Sequence, residues 1–130
     1  MADNEKDLLR EATNAAKNAY SPYSRFRVGA AVLTKAGRVY SACNVENASY
    51  GLSICAERAA VFAAVAAEGP ETKIQAIGIA CVGDGTCSPC GACRQVISEF
   101  GSDAIVIFRD GVKTHRTTAA KLLPESFHLP

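Results

Sequence analysis

Apolar residues recur at three- and four-residue steps through Leu8, Leu9, Ala12, Ala15, Ala16 and Ala19, the period of a helix with one buried stripe. Asp3 or Asn4 offers a capping side chain at its start, and Pro22 marks its end. The period then changes. Val28 to Thr34 and Arg38 to Asn44 are strand-like runs, and the short link Lys35-Ala36-Gly37 between them predicts an antiparallel hairpin. Helical spacing returns from Ser53 to Glu68, with Gly69 just past the end and Pro70 beyond it. Ala56, Ala59, Ala60, Ala63, Ala64, Ala66 and Ala67 make this helix thin enough to approach a neighbour closely. Ile74 to Val82 is almost continuously apolar, which predicts a strand covered on both faces in the middle of a sheet. Ser88 and Pro89 open a third helix that runs through Glu99 and stops at Gly101, because proline is tolerated where a helical N–H would lack a partner. Ala104 to Phe108 is a further short strand, and Thr117 to Leu123 a last short helix before Pro124. Strands alternating with helices predict a three-layer α/β/α sandwich.

Composition narrows the classes open to such a fold. The 130 residues are 48% hydrophobic with a formal net charge of +1, which describes one domain over residues 1–130 able to bury roughly two thirds of its unfolded surface. Affinity for a phosphate backbone comes from clustered Lys and Arg, so near-neutrality argues against a nucleic-acid partner. The densest basic stretch, Arg109 to Arg116, contains Asp110 and reads as a hairpin or loop with a solvated face. No apolar run approaches the roughly 18 residues of a membrane span. The first residues, Met1-Ala2-Asp3-Asn4-Glu5-Lys6-Asp7, lack the basic start and apolar stretch of a secretory leader, so a cytoplasmic location is expected. In that reducing compartment six cysteines are thiols or metal ligands rather than disulfides.

Two segments carry the candidate chemistry. Cys55-Ala56-Glu57 and Pro89-Cys90-Gly91-Ala92-Cys93 together supply three thiolates and one carboxylate, each at a predicted helix start. Cys55, Cys90 and Cys93 as ligands of Zn2+ leave the fourth tetrahedral position open for water, the mark of a catalytic rather than a structural site. The arrangement, with a Glu two residues after the first ligand, is the one described for zinc-dependent base deaminases. Helix N-termini carry partial positive charge, which favours the thiolates that zinc requires. Three thiolates on one zinc leave a net charge of about −1. Arg58 and Arg94 stand close enough in sequence to Cys55 and Cys93 to donate hydrogen bonds to the sulfurs and offset it, unless they are ordinary helix-surface arginines.

The remaining cysteines and histidines fit blander roles. Cys87-Ser88-Pro89-Cys90 is an overlapping Cys-x-x-Cys, but a helix starting at Pro89 leaves Cys87 in the preceding loop, outside the ligand set. Cys43 and Cys81 end apolar strands and read as small buried hydrophobes. His115 and His128 lie outside both motifs. A non-enzymatic zinc module built on Cys81, Cys87, Cys90 and Cys93 would leave Cys55 dispensable. A thiol oxidoreductase would give no role to Cys55 or Glu57.

The sequence closely resembles the cytidine deaminases of the small, three-cysteine, homotetrameric type. Besides the two zinc segments, the resemblance rests on Tyr23-Ser24-Arg25-Phe26-Arg27-Val28-Gly29-Ala30-Ala31, on Asn44-Val45-Glu46-Asn47-Ala48-Ser49-Tyr50-Gly51, and on Leu122-Leu123-Pro124-Glu125-Ser126-Phe127. It implies a central mixed five-stranded sheet, one zinc ion per subunit, and hydrolysis of cytidine and deoxycytidine to uridine and deoxyuridine in pyrimidine salvage. It implies further that Glu57 shuttles protons, that Asn44 and Glu46 hold the ribose, and that Phe26 packs on the pyrimidine. The backbone of Ala56 and the carbonyl of Ser88 would meet the base edge and the leaving amine. Tyr50 and Phe127 would reach the active sites of neighbouring subunits, making the homotetramer part of the catalytic unit. A deaminase of another cytosine-like nucleoside or a nucleoside antibiotic is the nearest alternative. A polynucleotide deaminase would need a basic, aromatic-lined groove that this chain does not display.

Overall fold

The structure, a computed structural model, describes residues 3–83 and 85–130. Helix α1 (Asp3–Ala16) is followed by strands β1 (Val28–Thr34) and β2 (Val39–Cys43), helix α2 (Ala56–Glu68), strand β3 (Ile74–Cys81), helix α3 (Gly91–Phe100), strands β4 (Ile105–Asp110) and β5 (Lys113–Thr118), and the short helix α4 (Ala119–Leu122). The strands form one sheet in the order β2-β1-β3-β4-β5. Only β3 and β4 run parallel; the other three pairings are antiparallel. A parallel pair needs a crossover, and α3 provides it.

Sheet periodicity separates two unlike faces. Val28, Ala30 and Val32 of β1, Ile77 and Ile79 of β3, and Val106 and Phe108 of β4 share one face, where they pack with Ala56, Ala60, Val61 and Ala64 of α2 and Ile97 of α3. On the other face Ala31, Ala76 and Ala80 meet Leu8 and Ala12 of α1. The layers are therefore α1, then the sheet, then α2 with α3, and β3 lies at the centre as its apolar run predicted. Small residues let α1 press against the sheet: a Cβ built on Gly29 would lie 1.9 Å from the Ala12 carbonyl oxygen, and one on Gly78 3.1 Å from the Leu8 Cβ. Gly29→Ala is expected to destabilise the fold by about 3 kcal/mol, since a rigid backbone must move to admit the methyl group. Urea unfolding monitored by circular dichroism measures it, and a native midpoint would contradict the close packing.

Several sequence-based boundaries shift. Asp3 and Asn4 lie inside α1 rather than capping it, and the helix stops at Ala16, with a tighter turn through Ala19. Helix α2 begins at Ala56, not Ser53, because Val45 and Ile54 pair in an isolated bridge that keeps the approach extended. Helix α3 begins at Gly91, two residues after Pro89, with Cys90 as its N-cap. The basic stretch closes as the β4–β5 hairpin, with Gly111 in the left-handed region at φ 63°. Its second strand is polar at every position, as suits a sheet edge. A fork from Arg116 to the buried Glu5, at 2.8 and 3.3 Å, ties that edge to α1. Cys43 and Cys81 are half-buried rather than buried. No helix of the described residues is long and apolar enough to cross a membrane.

Candidate active site

Helices α2 and α3 start at the end of the sheet where β2 and β3 finish, so both N-termini converge on one point. Cys55 is the N-cap of α2 and Cys90 the N-cap of α3, with Cys93 one turn further along α3. Their three sulfurs lie within 4.8 Å of one another, with Cys55 Sγ and Cys90 Sγ 3.9 Å apart. Tetrahedral zinc with Zn–S bonds of about 2.3 Å separates its sulfurs by about 3.8 Å. The donor set therefore fits zinc in chemistry, number and spacing.

The thiols ionise unequally. Hydrogen bonding from Cys93, followed by that from Arg58, lowers the Cys55 thiol to about 5. Cys93, the donor in that bond and buried near Glu57, is held well above the usual thiol range. The Cys90 sulfur accepts from the Cys93 N–H at 3.5 Å, the capping bond that an N-terminal turn offers an anion. Arg58 Nη2 donates to Cys55 Sγ at 3.4 Å, and these thiols raise the guanidinium above its ordinary value. Arg94 behaves differently. Its Nε, Nη1 and Nη2 donate to Pro89 O, Leu122 O and Ser88 Oγ at 2.8, 3.1 and 3.0 Å. The expectation that Arg94 compensates a ligand sulfur is thus corrected: the chain turns its guanidinium toward the loop before α3 instead.

Glu57 sits beside the sulfurs in the first turn of α2 and is only 5% exposed. Burial, reinforced by the negative charge of Cys55, pushes its carboxyl up to about 7. A carboxyl poised near neutrality can both take and return a proton.

These groups open onto a cavity of about 480 Å³, a size that holds a small organic molecule. Phe26, Asn44, Glu46 and Tyr50 line it together with Ala56, Ser88, Cys55, Glu57 and Cys90. Phe26 is thus a pocket residue and not the core aromatic its apolarity alone would suggest. Asn44 and Glu46 also hold the segment that presents it. Asn44 Nδ2 donates to Phe26 O at 2.8 Å, and its Oδ1 accepts from Val28 N at 2.9 Å. The Glu46 carboxylate accepts from the N–H groups of Tyr23 and Ser24 at 2.9 and 3.1 Å and from the Ser24 hydroxyl, and these bonds lower its pKa, the hydroxyl foremost. Phe127 lies outside the cavity lining, 67% exposed, its carbonyl accepting from Gln95.

Sequence reasoning left Ser24 and Thr86 without roles, although both line the cavity. Ser24 stood inside a motif; Thr86 had no local signal, because its partner, the Asp110 carboxylate at 2.5 Å, is distant in sequence. Cys87 borders the cavity but points its thiol at the carbonyls of Ile79 and Arg109, and burial raises it to about 12. It stays outside the ligand group. His115 is likewise engaged elsewhere, stacked on Phe108 and 3.1 Å from Asp110.

A mixed five-stranded sheet with two helix N-termini that gather three thiols beside one buried carboxyl, two of the thiols and the carboxyl lining a single cavity, defines a zinc-dependent hydrolase of the deaminase class. The sequence matches the family model described as the cytidine and deoxycytidylate deaminase zinc-binding region over residues 2–109, and the chain belongs to that family. A cytidine deaminase of Mycobacterium tuberculosis is 47% identical over 133 residues, covering 99% of this chain and 94% of the relative. One from Sporosarcina psychrophila is 44% identical over 92% of this chain and 88% of its own. The crystal structure of a cytidine deaminase from Burkholderia pseudomallei superposes with a TM-score of 0.86 at 44% identity, covering 98% of this chain and all of that one.

Proposed function

We propose that the protein hydrolyses cytidine and deoxycytidine to uridine and deoxyuridine with release of ammonia, holding one zinc ion per subunit on Cys55, Cys90 and Cys93. The observation that carries this reading is the buried Glu57 carboxyl beside three clustered thiols, with Glu57, Cys55 and Cys90 lining a cavity of about 480 Å³. Zinc held by these thiolates would lower the pKa of a bound water to about 7. Glu57 accepts the proton from the attacking water, delivers it to N3 of the ring as C4 becomes tetrahedral, then takes the remaining proton of the new C4 hydroxyl and passes it to the amine as the C4–N bond breaks. Water adds one oxygen to C4, and the amine leaves as ammonia. Phe26 stacks on the pyrimidine, and Asn44 and Glu46 meet the ribose hydroxyl with orientations set by their bonds to the 23–28 segment. The Ala56 backbone and the Ser88 carbonyl contact the base edge and the amine. Arg58, bonded to Cys55, offsets the thiolate charge.

The expected result of stripping zinc is complete loss of cytidine-to-uridine conversion, followed through chromatography, and its return on adding zinc back. Conversion that survives metal removal would refute the reading.

Pyrimidine salvage in the cytoplasm is the matching cellular role. A homotetramer is the proposed assembly. It is supported by the exposed Phe62 on α2, next to the exposed Ala63, and by the exposed Phe127 and Tyr50, side chains suited to reaching neighbouring subunits. Light scattering is expected to give four times the 13.6 kDa chain mass; a monomeric mass with full activity would remove the shared-site proposal.

A further inference from the structure

We propose that Arg94 is a positioning residue: it clamps the Ser88-Pro89 segment, whose last carbonyl belongs to the peptide leading into Cys90, against the end of α4. Three different guanidinium nitrogens donate to three acceptors on two separate segments, Pro89 O and Ser88 Oγ on the loop and Leu122 O on α4. The Pro89 acceptor explains why an arginine is needed. The hydrogen-bond ladder of α3 begins with the Cys90 carbonyl, which accepts from the Arg94 N–H at 2.9 Å. The carbonyl one residue earlier lies outside that ladder, beside a proline side chain that is fully buried. A buried carbonyl without a partner is costly, and Arg94 Nε provides the partner at 2.8 Å. Backbone and side chain of one residue thereby fix the carbonyls on both sides of the Cys90 N–Cα unit.

The other end of the same loop is held independently. Cys87 N donates to Arg109 O at 3.0 Å, and Thr86 Oγ1 to the Asp110 carboxylate at 2.5 Å. Between these stitches and Gly91 the chain has no regular secondary structure. The loop that carries Ser88 into the cavity and Cys90 to the sulfur cluster is therefore braced at one end by β4 and at the other by Arg94. Arg58 contacts a ligand sulfur and Arg94 contacts the backbone leading to one, so the two arginines do different work. A lysine retains the charge of Arg94 but presents a single ammonium, which cannot span three acceptors on two segments.

The inference rests on the proposed function only for the identity of the metal. Its test is the rate at which the zinc-loaded protein gives up its metal to an excess of chelator, compared among the native chain, Arg94→Lys and Arg94→Ala. Both variants are expected to release zinc roughly 10-fold or more faster, the scale seen when a group that orients a ligand is removed, with Arg94→Lys close to Arg94→Ala. Native protein brought to the same melting temperature with urea is expected to release zinc more slowly than either variant, which separates the clamp from general loosening. If Arg94→Ala does not fold, Arg94→Gln takes its place in the comparison. Native release from Arg94→Lys would mean that charge alone suffices and would overturn the proposal, as would equal release from the urea-matched native protein. A native chain that takes up no zinc would overturn the metal reading and the clamp together. Zinc bound without cytidine turnover would count against the proposed substrate alone, and the clamp would still be read from the release rates.

Discussion

Replacing Glu57 by glutamine is expected to lower kcat on cytidine by roughly 10²-fold or more, while zinc content and nucleoside binding stay near native. Glutamine keeps the shape of the side chain in a position only 5% exposed, so packing around the first turn of α2 should survive. What it loses is a group that can hold a proton at one stage and release it at another. The carboxyl is suited to that exchange because burial has brought it to about 7, where both its protonated and its ionised form are accessible near neutral pH. The measurement is single-substrate kinetics with zinc determined on the same sample. Near-normal turnover in a zinc-replete variant would remove Glu57 from the mechanism and leave it as a helix N-terminal charge.

Cys55→Ala is expected to have the second large effect, leaving the protein folded but far below stoichiometric zinc and without measurable deamination. Two sulfurs from α3 alone do not make the three-ligand set of a catalytic zinc site. No other thiol is in place to substitute: Cys87 is committed to the Ile79 and Arg109 carbonyls, and Cys81 to the Gly85 carbonyl at 3.1 Å. This result discriminates against a structural zinc module on Cys81, Cys87, Cys90 and Cys93, which would keep its metal at full stoichiometry. Zinc analysis after dialysis decides between them. Retained stoichiometric zinc would overturn the ligand assignment even if activity were lost.

The hydrophobic pattern made the helices, the first hairpin and the central place of β3 legible, because burial imposes a period on neighbouring residues. It left β5 as one of two alternatives, a hairpin or a loop over Arg109 to Arg116, and placed Thr117 and Thr118 in the following helix. Lys113 to Thr118 is polar throughout, and it becomes a strand by pairing with the edge of β4, a partner that leaves no period in its own sequence. Helix starts were read early for a similar reason. Ser53 to Cys55 and Pro89 have helix-compatible sequence, but a bridge between Val45 and Ile54 keeps the first segment extended, and the N-cap of α3 falls at Cys90, itself extended at φ −69° and ψ 169°.

The site divides along the same line. Ligand types, their spacing and the carboxylate beside the first ligand are local facts, since a short motif at a helix start places its side chains through backbone geometry alone. Those were determined by the sequence. The gathering of Cys55 with Cys90 and Cys93 depends on β3 and the crossover through α3, which bring two helix N-termini to one end of the sheet. The partners of Arg58 and Arg94 show the difference most plainly, because both follow a ligand cysteine closely and the sequence treats them alike. Tertiary structure sends one to a sulfur and the other to a loop carbonyl and the end of α4. A long flexible side chain reaches whatever unsatisfied acceptor the fold leaves nearby, and only the assembled fold decides where that acceptor lies.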